Sequence, residues 1–251
     1  MELSWERHEP LALIGRQRTL SVHLVRPSPG SVRRQALETF IRTRFADYYA
    51  ARIRHFMPCL LGFEDEDGEV QAAAGLRPAR EARELFLERY LDAPIERVVG
   101  ECTGLPVVRE NIVEVGNFAA RGPGGARVLI TALTDLVGAL GFRWVVFTGT
   151  AILLNSFQRL GLPLVELGPA DPARMGAELA DWGRYYDSHP QVMAIDVAET
   201  PRAPAGCRHL SAPGLSAAVS GDRRCRLRLN PSGRPWRPMA SGPPCRKASA
   251  G

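Results

Sequence analysis

The 251-residue sequence predicts a mixed α/β domain followed by a tail that does not fold. Three observations lead there. Residues 112–168 read as strand, Gly-rich turn, helix, strand, helix, strand. The apolar runs Phe56–Phe63 and Glu69–Leu76 flank the acidic turn Glu64–Gly68 and read as a hairpin. Beyond residue 200 apolar periodicity stops, and Pro, Gly, Ser, Ala and Arg take over. Such a composition buries too little surface to offset its ordering entropy. The expected division is therefore a domain at 1–200 and a disordered tail at 201–251.

The elements follow in order. Ser21–Arg26 alternates like a strand, and Ser31 is placed to cap a helix. Leu37, Phe40, Ile41, Phe45 and Tyr48 then recur at helical spacing over 32–49. After the hairpin, Leu85, Phe86 and Tyr90 share a side of an expected helix at 80–91, which Pro94 ends. Residues 95–110 carry no clear period. Ile112–Ala119 is nearly all apolar, as a strand buried on both faces should be. A helix is expected over 126–140, stopped by Gly141, then a second buried strand at Trp144–Thr148. A helix at 151–160, a short strand at 163–167, a helix at about 172–186 and a strand at Gln191–Val197 complete the domain.

Charge and composition exclude several classes. The net charge is +5, but residues 201–251 hold ten basic residues and one acid. The remaining 200 residues carry 22 basic and 26 acidic side chains, so the body is not that of a nucleic-acid-binding protein. No apolar run approaches the roughly 18 residues of a membrane span. Membrane contact is unsupported, because the helices carry ordinary core stripes that the sheet needs and the basic tail has no helical amphipathicity. The first ten residues lack the basic start and apolar core of a secretory signal. Five cysteines without CxxC spacing point to a reducing cytoplasm, and no metal-ligand spacing links them to the histidines.

The turn Arg121-Gly-Pro-Gly-Gly-Ala126 carries the chemistry. Gly122, Gly124 and Gly125 allow close approach of a ligand to the backbone. The following helix aims free N–H groups and its positive dipole end at the same point, and Arg121 adds a charge for phosphate. A flexible strand-to-helix connection is the alternative. Glu114 lies mid-strand among valines. A carboxylate there is either paired, for example with Arg109 or Arg143, or it faces a cleft as a general base whose pKa desolvation raises. Asn117, near the end of that strand, either hydrogen-bonds an acyl or amide group or caps the strand.

Arg121, Gly124 and Ala126 fit the pattern Gln/Arg-x-x-Gly-x-Gly/Ala, and here the chain resembles the GNAT acyltransferase superfamily. Within it, the sequence is similar to the thermostable hemolysin family. The segments Leu85–Asp92, Ile112–Ala119, Trp144–Thr148, Asn155–Leu162 and Trp182–Asp187 carry that similarity. The resemblance covers roughly 20–197 and extends more distantly to acyl-homoserine-lactone synthases. It implies a central mixed, mostly antiparallel sheet flanked by helices. It implies an acyl-CoA or acyl-ACP donor and a small-molecule acceptor, with no metal.

The resemblance also distributes roles. The turn residues Arg121, Gly122, Gly124, Gly125 and Ala126 would hold the pyrophosphate. Phe118 and Ala119 would contact the rest of the carrier; Asn155, on the helix after the second buried strand, either reaches its pantetheine arm or sits in solvent. Glu114 would deprotonate the acceptor, and Asn117 would stand beside it. Many superfamily members place a Tyr four residues before the Gly that ends the cleft helix, where it protonates the leaving thiolate. Counting back from Gly161 gives Phe157, which has no proton to donate. Two other readings therefore stand beside the transferase: a membrane-active lytic protein, as the family name suggests, and a carrier-binding module without catalysis.

Overall fold

The computed structural model describes residues 12–14 and 20–200; the tail expected at 201–251 lies outside the described residues. Among the described residues eight strands form one sheet in the order β1-β2-β3-β4-β5-β6-β8-β7. They are β1 (Ala12–Ile14), β2 (Leu20–Val25), β3 (Cys59–Glu64), β4 (Val70–Pro78), β5 (Ile112–Ala120), β6 (Trp144–Gly149), β7 (Leu164–Pro169) and β8 (Gln191–Asp196). Every neighbouring pair is antiparallel except β5 with β6. The mixed, mostly antiparallel sheet is the expected one.

Among the described residues four α-helices cover the sheet: α1 (Val32–Tyr49), α2 (Ile95–Thr103), α3 (Pro123–Ala139) and α4 (Ala151–Arg159). Ser31 caps α1 as expected, its hydroxyl accepting the Arg34 N–H at 3.3 Å. Leu37, Ile41 and Phe45 of α1 are buried against one face with Ile112, Trp144 and Val146. On the other face Leu129, Leu133, Leu136 and Val137 of α3 meet Val113, Val115, Val145 and Phe147. The alternation along β5 and β6 thus feeds two separate apolar layers.

Two expected helices are corrected. Residues 80–91 hold two short 3-10 turns, Ala79–Glu81 and Phe86–Tyr90, rather than one helix. The backbone N–H groups at 85–87 are taken by the carboxylates of Glu88 and Glu114, so the segment is tied to the sheet and cannot wind on itself. Residues 172–186 are 3-10 turns interrupted at Gly176 and Gly183, whose φ angles are 56° and 52°. Pro94, expected to end a helix, instead precedes one, α2, in the stretch that showed no period.

Two irregularities open the centre of the sheet. Between β4 and β5 the register slips, so that Asn117 and Phe118 oppose Ala74 alone. Asn117 takes φ 50°, a left-handed conformation Asn tolerates better than most residues. On the other side of β5, pairing with β6 stops at Val115 and Phe147. Past that point the two parallel strands part.

Candidate functional site

A cavity of about 680 Å³ fills the gap between the parted strands and reaches both faces of the sheet. At one end it meets the start of α3, where Gly122 and Ala126 line it. Gly122 has φ 155° and ψ 178°, a conformation open in practice to glycine alone. Pro123 follows at the first helical position, where its missing N–H costs nothing. The N–H groups of Gly124 and Gly125 lie in the first turn, beyond reach of any intrahelical carbonyl. Ala126 N–H is the first to close the ladder, on Gly122 O at 3.0 Å. The helix starts three residues earlier than its apolar period suggested.

At the other end stands Glu114, which is 2% exposed and lines the cavity. Its Oε2 accepts the Phe86 N–H at 3.1 Å and its Oε1 the Leu87 N–H at 2.9 Å. The salt bridges considered from sequence do not form. Arg109 pairs with Glu88 and Glu96, and Arg143 with Asp196. The cation beside Glu114 is Arg77, at 3.8 Å. Burial pushes the Glu114 pKa up, outweighing the two N–H donors and Arg77. Each carboxylate oxygen receives one hydrogen bond and keeps lone-pair capacity for another.

The other expected site residues divide. Asn117, Phe118 and Ala119 line the cavity with Gly122 and Ala126. Asn117 also binds its own surroundings, accepting the Met57 N–H at 2.9 Å and donating to His55 O at 3.5 Å. Arg121 is half exposed and turned to β4, with Nε on Val70 O at 2.9 Å and an ion pair to Glu69 at 2.8 Å. Gly124, Gly125 and Asn155 are not among the described residues lining the cavity; Gly124 and Asn155 are exposed. From α4 it is Ile152, Leu153, Ser156 and Phe157 that border the gap.

Phe157 is buried, and its ring stacks on Phe147 with centroids 4.8 Å apart and planes 19° from parallel. The aromatic pair forms an apolar wall where a hydroxyl was sought. Opposite it, Tyr49, Phe86, Trp182 and Tyr185 line the cavity from the other face. Burial raises the Tyr49 and Tyr185 phenol pKa values, which keeps both rings neutral.

Sequence reasoning missed Arg44 and Arg77. Arg44 lines the cavity from α1, and its Nε is buried with no hydrogen-bond partner among the described residues. A buried donor of this kind is costly unless a ligand meets it. Its only signal in the sequence is a place on α1 next to Phe45, which does not distinguish it from any solvated arginine.

Several solved structures follow a similar course. They include FeeM, an N-acyl amino acid synthase from uncultured soil microbes, at 14% identity and a TM-score of 0.49 over 73% of this chain and 93% of that one. The AHL synthase LasI gives 11% identity and a TM-score of 0.49 over 71% and 90%. A GCN5-related N-acetyltransferase from Kribbella flavida gives 15% identity and 0.43 over 70% and 97%. Among curated proteins, none matches the chain. Residues 28–200 match the model of one family, Thermostable hemolysin, over most of the chain's length, and the chain belongs to that family.

Proposed function

We propose that this protein transfers an acyl group from an acyl-CoA or acyl-ACP thioester to a small amine or hydroxyl acceptor. One observation carries the proposal: a single cavity through the parted β5 and β6 joins the N-terminus of α3 to a buried carboxylate of raised basicity. The donor's phosphates suit the first turn of α3 and the unmet Nε of Arg44. Its pantetheine arm suits the unpaired edge of β5 beyond Val115, as an added strand would.

The residues then divide the work. Glu114 takes the proton as acceptor nitrogen or oxygen attacks the thioester carbon. The new C–N or C–O bond forms, the C–S bond breaks, and the thiolate leaves. Phe157 offers it no proton, so water supplies one. No enzyme nucleophile enters, because the acceptor attacks directly.

Calorimetric titration of the full chain with acetyl-CoA, decanoyl-CoA and decanoyl-ACP tests the proposal. Binding of at least one, with thiol release on addition of an amine, is expected. No binding of any donor would overturn it. The stacked Phe157 favours one rival, a module that binds the carrier without turnover, which binding without thiol release would identify. Among the described residues no helix is long and apolar enough to cross a membrane.

A further inference from the structure

A second cavity, of about 630 Å³, opens beside the first and shares Arg54, His55, Phe56, Arg77, Phe86 and Glu178 with it. Five arginines line it against two glutamates. Four of the five are already engaged. Arg34 bonds Glu38 at 2.9 Å and the carbonyls of Pro58 and Met57. Arg42 lies over Phe56 and reaches Glu38 at 3.4 Å. Arg54 holds Asp181 at 2.8 Å. Arg89 lies over Phe86 and holds Glu178 at 3.1 Å.

Arg77 differs from these. Among the described residues its ion-pair partner is Glu114 alone, at 3.8 Å, beyond hydrogen-bond reach. Its side chain is 27% exposed, so the guanidinium stands at the junction of the two cavities with its donor fork open to a ligand. A concave surface with excess positive charge concentrates anions, and an open guanidinium fork matches a carboxylate with two parallel hydrogen bonds. The group it would orient lies directly beside the general base.

We infer that the acceptor is an amine bearing a carboxylate, an α-amino acid in the simplest case, with the carboxylate on Arg77 and the amine toward Glu114. The inference rests on the acyltransferase reading above. In an α-amino acid one carbon separates the two groups, a compactness that suits the short span between Arg77 and Glu114. The neutral form of the amine attacks the thioester, Glu114 accepts the proton it loses, and the product is an N-acyl amino acid plus the free thiol.

Thiol release from decanoyl-CoA by the full chain tests this with three matched acceptors: L-phenylalanine, L-phenylalaninamide and phenethylamine. The acid should exceed both others at least tenfold in kcat/KM. Arg77→Gln should cut the acid at least tenfold more than the other two, through KM, and leave the decanoyl-CoA Kd unchanged; any loss common to all three reads the removal of the cation beside Glu114. Arg77→Lys should restore part of the loss. Arg54→Gln, at a more exposed position, should cost the acid about threefold. Equal rates for the three acceptors, or equal losses in Arg77→Gln, would overturn the inference. Titration with N-decanoyl-L-phenylalanine and its amide reads the same site without turnover, and equal affinities there would overturn it too. If no acyl donor binds at all, the transferase reading fails, and this last titration still decides whether Arg77 takes a carboxylate.

Discussion

Glu114 accepts the N–H groups of Phe86 and Leu87 through its two oxygens, and Glu88 in the same segment accepts those of Leu85 and Ile95. Their pKa values nevertheless move in opposite directions. For Glu114 burial dominates and raises the pKa. For Glu88 burial pulls upward as well, but the bonds from Arg109 and from the Leu85 and Ile95 N–H groups outweigh it, and the pKa falls. A raised folded pKa favours stability at low pH, a contribution lost as pH rises through that value. A lowered one contributes stability above the ordinary carboxylate range that is lost as pH falls through the folded pKa. Glu114→Gln should cut turnover by about 10²- to 10⁴-fold with the donor Kd unchanged, and should remove the rise of rate with pH that tracks deprotonation of Glu114. Rapid-mix kinetics at a series of pH values upward from the ordinary carboxylate range checks it. Glu88→Gln should lower stability by about 3 kcal/mol in urea unfolding, because Arg109 is left half-paired in a mostly buried place. Neither partnership was visible in sequence: Glu114 stood out as a carboxylate among valines, but its partners lie 27 and 28 positions away.

Among elements, those defined by local periodicity were legible and those defined by distant partners were not. The strands at 112–119 and 144–148 and the cores of α1 and α3 follow directly from apolar spacing. The run 80–91 has helical spacing too, yet Glu114 from β5 and Glu88 from within the turn hold its N–H groups and it stays 3-10. The break at Gly183 has a clear cause: a Cβ there would lie 2.3 Å from Tyr49 O, so the chain passes where only glycine fits. Of the candidate site, the turn at α3 and Glu114 were readable, whereas Arg44 and Arg77 emerge only once α1 and β4 are packed beside β5. The entry to α3 supports a direct test. Gly122→Ala forces a side chain into a glycine-only conformation, at a cost of about 1–3 kcal/mol, or shifts the turn. The Kd for decanoyl-CoA should rise tenfold or more, while the far-ultraviolet circular dichroism stays that of the wild type. Arg44→Met should weaken the same Kd several-fold without lowering the unfolding temperature, since it removes a buried Nε–H that has no partner among the described residues, and the exposed ion pair lost with Asp47 contributes little.

For the whole molecule, the family match ends at residue 200, where the described residues also end. A chain stopped there should bind decanoyl-CoA as tightly as the full sequence, and a tenfold loss in calorimetry would show that 201–251 belongs to the site. Within the described residues the sheet consists of two antiparallel groups, β1 to β5 and β6 with β8 and β7. Only the pairs Ile112–Trp144 through Val115–Phe147 connect them as a ladder. The hinge of an open book is held by few stitches in the same way, and a molecule lying across the gap becomes an additional one. Saturating donor should therefore slow amide hydrogen exchange in β6 and β8 as well as in β5, although β8 touches no part of the gap. The two leaves would then open as one cooperative unit when the gap is filled, and as two when it is empty.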